Sequence, residues 1–355
     1  MGKKAVSHLI YFIEILVTLT ISIITIIGAF SSHADPNHYP IIAYIGLVLP
    51  GLLLLSLLLA FYWGIRKKVW IVLPFLAILA NFEYVNSVVH FSTKKEVTGK
   101  TLKIATYNIH SFNKESTGFS AKQIARYMEK EKIDVLCFQE FNGNNKFPND
   151  SLLQVYKNYP YRYIPHLPGR DTRIAIFSKY PLIDSLFIPF PKSINCGMWA
   201  DILVEGKRIR IFNVHMQTTA LNQNQYKMKK EQVYYTDEEK IQAMEELNIS
   251  LIHNMQIRAR QAQLMRSLMD TTSYPMLLCG DFNDTPASYV YNQLKGPLSD
   301  GFKTCGNGYQ YTFRKLQKLL RIDFIFHSPE LKGLQYESPS LPWSDHNPVI
   351  MKIEL

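Results

Sequence analysis

Residues 41–63, "IIAYIGLVLPGLLLLSLLLAFYW", contain no charged side chain. As a helix, about 20 mostly apolar residues cross the hydrocarbon core of a bilayer. The other home for such a run is the centre of a large soluble domain. This stretch has no polar face to turn toward water, so it would need cover on every side, and the membrane is the simpler reading. Two neighbours share its character. Residues 9–30 carry a single charge, Glu14, and residues 69–91 are weaker, with Asn81, Glu83, Asn86 and His90 in their second half. Residues 1–91 are therefore expected to form a membrane region with about three transmembrane helices. Lys3 and Lys4 precede the first span, residues 31–40 lack Lys and Arg, and Arg66, Lys67 and Lys68 follow the second. By the positive-inside rule the amino terminus and the 66–68 loop face the cytoplasm. Three spans then put the rest of the chain on the extracytoplasmic, periplasmic side of a cell inner (cytoplasmic) membrane. Two alternatives stay open. The small residues of "SSHAD" offer a signal-peptide cut after the first span, which leaves the later domain on the same side. Failure of the third span, at Glu83, would move it inside.

Beyond "STKKEVTGK", a polar linker over 92–100, short apolar runs alternate with amphipathic helices. "LKIATYNI", "DVLCFQE", "RIAIFSKYPL", "PMLLCGDFND", "RIDFIFHS" and "NPVIMKIEL" read as strands. "SAKQIARYMEKEK" reads as a helix with Ser120 as its N-cap. "ADILVEGKRIRIFNVH" is a hairpin turning at Glu205-Gly206, and a long charged helix covers about 238–269. The pattern predicts sheets covered by helices in one domain. Residues 92–355 hold 34 basic and 26 acidic residues. Its positive balance favours an anionic partner: a phosphorylated substrate, nucleic acid or an anionic membrane surface. Cys137 and Cys279 fall inside strands, and Cys196 and Cys305 could pair in an oxidising compartment. No zinc-type spacing is present.

Strand after strand ends in the same kind of residue. The tips carry Asn108, Glu140, Asn213 with His215, and Asp281 with Asn283. Asp323 lies in a strand, and Asp345 with His346 in a turn before the last one. Taken singly, each has a plain structural reading as a cap, a turn residue or a satisfied core histidine. Together they describe a pocket at one rim of a sheet. Crowded carboxylates repel and need a cation to coexist. An all-oxygen donor set of Glu, Asp and Asn suits a hard ion such as magnesium. The histidines then serve as acid, base or phosphate contacts.

The stretches "TYNIHSF", "DVLCFQE", "IFSKYPL", "IFNVHMQT", "CGDFND", "RIDFIF" and "SDHNPV" resemble the endonuclease/exonuclease/phosphatase superfamily, the deoxyribonuclease I-like enzymes, over residues 101–355. The resemblance is nearest to membrane-anchored bacterial members with multi-span amino termini. It implies a four-layer α/β/β/α sandwich of two mixed sheets flanked by helices, placed after the transmembrane region. It also implies a metal-dependent phosphoester hydrolase in which water attacks phosphorus in line, with Mg²⁺ as cofactor and Mn²⁺ as a substitute. Glu140 would be the principal metal ligand, with Asn108 and Asp345 completing the site. Asp281 would position or deprotonate the water, and Asn283 would donate to the phosphate. His346, oriented by Asp323, and His215 would contact phosphate or move protons. Asn213 and Arg173 are candidate substrate contacts, Arg173 because it stands near a position where many relatives have Gly. A solvated Arg173 is the simpler reading. The substrate would be a lipid headgroup, a small phosphoester or nucleic acid; no protein partner is expected. The long segment after His215 reads as a lid, a membrane-facing helix or a wet charged face. A catalytically silent scaffold or sensor is the competing function, and the intact set of rim residues argues against it.

Overall fold

The computed structural model describes residues 2–93, 95–165, 174–219 and 237–355. It divides into two compact units. The first comprises Met1–Ser87, Thr236–Ala259 and Pro286–Asn292. Its helices are α1 (Lys3–Gly28), α2 (Pro40–Ile65), α3 (Val72–Ala80) and α4 (Phe82–Val88). α1 and α2 are long and apolar enough to cross a membrane. The third apolar stretch differs from the unbroken span expected, because it bends by 58° between α3 and α4. Asn81 causes the break. Its side-chain amide donates to the Ala77 carbonyl (2.9 Å) and to the Thr25 carbonyl of α1 (2.8 Å). A short amide side chain that bonds the backbone competes with helix continuation.

Several polar side chains of this unit turn inward. Trp63 Nε1 donates to Thr18 Oγ1 at 2.9 Å, and the Thr25 and Ser56 hydroxyls lie 3.2 Å apart. Ser31 Oγ is 2.7 Å from both the Gly28 and Ala287 carbonyl oxygens. Leu54, Leu55, Leu57 and Leu58 of α2 face outward, while Leu49 is buried. This inversion is what a helix bundle in lipid requires, since lipid gives no partner to a hydroxyl.

The second unit comprises Val88–Tyr235, Arg260–Thr285 and Gln293–Leu355. It opens with a short strand, β1 (Val89–Phe91), where a continued helix was expected. Then come β2 (Thr101–Asn108), α5 (Phe119–Lys130), β3 (Val135–Gln139), α6 (Asn149–Val155), β4 (Tyr161–Tyr163), β5 (Ile174–Ser178), β6 (Leu182–Pro189), β7 (Cys196–Val204) and β8 (Lys207–His215). After them run α7 (Asp237–Asp270), β9 (Met276–Asp281), α8 (Tyr289–Lys295), β10 (Ser299–Asp300), α9 (Gly301–Cys305), β11 (Asn307–Tyr309), β12 (Asp323–His327), β13 (Lys332–Glu337) and β14 (Val349–Glu354). α7 is one continuous helix whose residues through Ala259 are grouped with the first unit.

Two six-stranded sheets result, ordered β13-β14-β2-β3-β5-β4 and β10-β12-β9-β8-β7-β6. Both are mixed: β2/β3 and β8/β9 are parallel pairs among antiparallel ones. The sequence explains the layering through its period of two. In β2, Leu102 and Ile104 join Met198, Ile211, Leu277 and Ile325 in the core between the sheets. The alternate residues Ala105 and Tyr107 pack outward with Ile124 and Met128 of α5 and Leu152 of α6. On the other sheet Met265 of α7 presses on Gly197 of β7, where an added Cβ would come within 2.9 Å of its sulfur. Helices, sheet, sheet and helices make the four-layer sandwich.

The β7–β8 turn falls at Glu205-Gly206, with φ of 49° and 83°, as the twist of a two-residue hairpin loop demands. Ser120 is not the cap of α5. Gly118 holds that position with φ 66°, and the Glu115 carboxylate accepts from the Ser120 amide instead. All four cysteines are buried free thiols, so Cys196 and Cys305 do not pair.

Candidate active site

Strand register brings the polar tips level. His215, Asp281 and Asp323 are direct partners across β8, β9 and β12. In the other sheet Asn108 of β2 is paired with Gln139 of β3, and Glu140 follows it. Local backbone then aims the side chains. Glu140 and Asn283 take φ of 54° and 51°, which ends each strand abruptly. Gly280 has φ 144°, and a Cβ there would meet the Val214 carbonyl at 2.0 Å, so only glycine lets β9 lie so close to β8 at this level.

Both sheets contribute to one connected cluster. Asn108 Nδ2 donates to Asp281 Oδ2 (2.9 Å) and to Glu140 Oε1 (3.3 Å). His215 Nε2 lies 3.8 Å from Asp281 Oδ2 and 3.9 Å from Glu140 Oε1. His346 Nδ1 is 2.9 Å from Asp323 Oδ2, and its Nε2 is 3.8 Å from Asp281 Oδ2. The Thr312 hydroxyl accepts from the backbone amides of Ile322 and Asp323, fixing that strand end. Ser344 Oγ donates to the Asn108 carbonyl and accepts from the His346 amide, which ties the last turn to β2.

Electrostatics separate two kinds of group. Burial and the facing Asp323 push Asp281 up to about 7. Burial opposes a charged His346, but Asp323 and Asp281 on either side outweigh it and raise the imidazole to about 10. His346 is therefore an imidazolium at neutral pH and neutralises the two carboxylates beside it. Burial works against a charged Asp345 too, yet His346, Lys315 and His110 hold its carboxyl below the usual range.

One expected contact, Asn213, is not where a substrate could meet it, while Asn283 is only half-buried. Asn213 is fully buried, and its amide is spent on the interior. It accepts from Gln139 Nε2 (2.6 Å) and donates to the carbonyls of Phe138 (3.1 Å) and Ala175 (3.0 Å). It ties one sheet to the other. Asn283 gives its amide hydrogens to the Met216 carbonyl (3.0 Å) and Asp281 Oδ2 (3.3 Å), and its backbone amide to Asp281 Oδ1 (2.8 Å). In this arrangement it positions Asp281. Arg173 lies outside the described residues. Sequence reasoning missed His110, whose Nδ1 is 3.3 Å from Asp345 Oδ1, and Lys315, whose Nζ is 2.8 Å from Asp345 Oδ2. "TYNIHSF" displays His110 next to a tip residue; nothing near Lys315 marks it.

The donor chemistry fits a hard divalent ion. Among the described residues, Asp281, Asp323 and His346 offer ligand atoms all within 4.8 Å of one another. A metal needs neutral imidazole, however, and His346 is held protonated by those same carboxylates. Glu140, Asn108 and Asp345 are the other oxygen donors at the rim, and Asp345 is ion-paired with Lys315 and lies beside His110.

Two mixed sheets packed face to face, flanked by helices and carrying acids, amides and histidines at one rim, define a deoxyribonuclease I-like α/β/β/α protein. A model of the Endonuclease/Exonuclease/phosphatase family, a family of hydrolases, matches residues 105–346, and the chain belongs to that family. A second family model, for a domain of unknown function, matches residues 7–88. Among solved structures, an endonuclease/exonuclease/phosphatase from Bacteroides vulgatus is 20% identical with a TM-score of 0.53, covering 72% of this chain and 99% of that one. A family protein from Bacteroides thetaiotaomicron is 17% identical, TM-score 0.51, covering 72% and 98%. D. rerio TDP2, complexed with a single strand DNA product, is 15% identical, TM-score 0.51, covering 72% and 100%. These likenesses are of fold. No curated protein matches the chain.

Proposed function

We propose that the chain is a membrane-anchored phosphoester hydrolase that uses Mg²⁺, or Mn²⁺ in its place, and directs water in line at phosphorus. The observation that carries this reading is the contact from Glu140 through Asn108 to Asp281, because it joins the tips of both sheets in one site. Glu140, Asn108 and Asp345 would hold the cation, which when bound supplies charge stabilisation to phosphate oxygens. Asp281, raised toward neutrality, takes the proton of the attacking water, since a base works best with its pKa near the working pH. Asn283 keeps Asp281 in place. His346, kept cationic by Asp323, stabilises the charge that grows on the phosphoryl oxygens. His215 contacts the phosphate or protonates the leaving oxygen. Residues 1–91 would form the membrane region and 101–355 the catalytic domain, on the extracytoplasmic side; Val89–Phe91 already pair into the catalytic unit.

The full chain in detergent or nanodiscs should hydrolyse bis-p-nitrophenyl phosphate with Mg²⁺ or Mn²⁺ and lose that activity to EDTA. His346→Ala should lower kcat by roughly 10²–10⁴. Turnover indifferent to EDTA, or a His346→Ala enzyme within a few-fold of wild type, would refute the proposal.

A further inference from the structure

A second feature of the catalytic unit has no role in the chemistry above. β1 and β11 form a separate two-stranded antiparallel ribbon, with Val89 opposite Tyr309 and Phe91 opposite Asn307. Cross-strand partners share a face, as do alternate residues of a strand. Val89, Phe91 and Tyr309 therefore share one face with Asn307, and it is exposed: Phe91 is 77% accessible. Tyr309 donates its hydroxyl to the Lys318 carbonyl at 3.0 Å, which fastens the ribbon to the loop 314–320, "RKLQKLL". Three successive residues of that loop, Leu316, Gln317 and Lys318, sit in the left-handed region with φ of 49°, 56° and 61°. None is glycine, so the backbone is strained to present them. Leu316 and Leu319 are exposed, Leu319 at 53%, beside Lys315 and Lys318.

The loop is anchored to the catalytic rim. Phe313 bridges to both Leu320 and His346, and the Arg314 amide donates to the Asp345 carbonyl at 2.8 Å. Arg314 Nη1 holds the Leu341 (2.7 Å) and Ser344 (2.8 Å) carbonyls, and Lys315 bonds the Asp345 carboxylate.

Exposed leucines and aromatics among lysines suit the boundary between acyl chains and headgroups. Chain order selects a bilayer over a soluble partner. β1 begins at the residue after α4, so no linker separates the ribbon from the last of three apolar segments. We propose that the β1–β11 ribbon and the 314–320 loop dock on the lipid surface, and that the substrate is the phosphoester of a membrane lipid headgroup; this rests on the hydrolase reading above. A headgroup drawn to the loop arrives beside Asp345 and His346.

Two measurements on the full chain in nanodiscs of phosphatidylethanolamine, phosphatidylcholine and phosphatidylglycerol test it. An environment-sensitive dye on Leu319→Cys should emit to the blue and be quenched at least two-fold more by a lipid spin-labelled near the headgroup than a dye on Ile183→Cys. The native thiols, all buried, leave the label site-specific. A Leu319 dye as wet and unquenched as the Ile183 dye overturns the docking. The double variant Phe91→Ser/Leu319→Ser should release headgroup from the nanodisc lipids at least ten-fold more slowly, with bis-p-nitrophenyl phosphate turnover within two-fold of wild type. Equal loss on both substrates, or no lipid hydrolysis by a wild type that cleaves bis-p-nitrophenyl phosphate, overturns the lipid assignment. A wild type inactive on both defeats the hydrolase reading instead.

Discussion

In α2, Leu54, Leu57, Leu58 and Phe61 are more than half exposed while Ser56 is fully buried; in β2, Ile104 is fully buried and Lys103 points outward. The two units sort their side chains in opposite senses, and they differ also in the polar groups they bury. The apolar helices of the first unit hide hydroxyls and one amide, Thr18, Ser22, Thr25, Ser56, Ser87 and Asn81, while its α7 segment also buries Asn254 and Arg258. The sandwich hides charges, but in pairs. Arg321 lies between the rings of Phe302 and Phe324 with its guanidinium on both oxygens of Asp300, at 2.6 and 2.7 Å. Arg210 likewise holds Asp201 while covering Trp199. A buried charge that loses its partner costs about 3–5 kcal/mol, so such pairs belong where folding into water pays for a tight core. The apolar helices α1–α4 avoid the question by burying neutral groups, whose mutual bonds in a bilayer contribute only about 0.6 kcal/mol each. The difference favours lipid as the medium around the first unit.

That contrast can be broken with two exposed apolar residues, Leu54 and Ile183. Leu54→Asp places a carboxylate at the middle of α2 and should cost about 3 kcal/mol of insertion, emptying the membrane fraction of folded protein. Ile183→Asp, exposed in β6 of the sandwich, should change stability by no more than about 0.5 kcal/mol. Membrane-fraction yield after carbonate washing measures both. A Leu54→Asp chain that accumulates like wild type would mean that the outer face of α2 does not meet lipid.

A smaller effect tests the interior of the sandwich alone. Burial holds His327 below its usual value, against the pull of the Ser328 carbonyl. The stability its neutral form contributes is intact above the unfolded value near 6.5 and is lost as the pH falls through that value toward the folded one. Melting of the wild type should therefore fall more between pH 7 and pH 5 than melting of His327→Gln, by about 2 °C. Equal drops would show that His327 is already protonated or not buried.

Much of the fold was legible in the sequence. The period of two in "LKIATYNI" and the Glu205-Gly206 turn predict strands and hairpin as they stand, because local pattern and burial agree there. The rim residues were readable because acids and amides at the ends of so many apolar strand bodies must crowd together once those strands align. Asn213 misled for the same reason: it ends a strand like its neighbours, and only the second sheet, with Gln139 and two carbonyls, shows its amide turned inward. The sequence marks Glu83 as the weak point of the third span and shows Asn81 only as one of its polar residues, because a kink depends on which carbonyls a side chain can reach. Lys315 was hidden because its partner, Asp345, is 30 residues away and joined to it only by the folded loop.

We propose that side chains from both sheets gather around a single divalent ion held by Glu140, and Mn²⁺ electron paramagnetic resonance on the full chain in detergent tests this without relying on turnover. Wild-type protein should bind a single Mn²⁺ per chain, and Glu140→Gln should lose it while keeping the melting temperature of the wild type. Binding left unchanged in folded Glu140→Gln, or no bound Mn²⁺ in the wild type, would contradict the account.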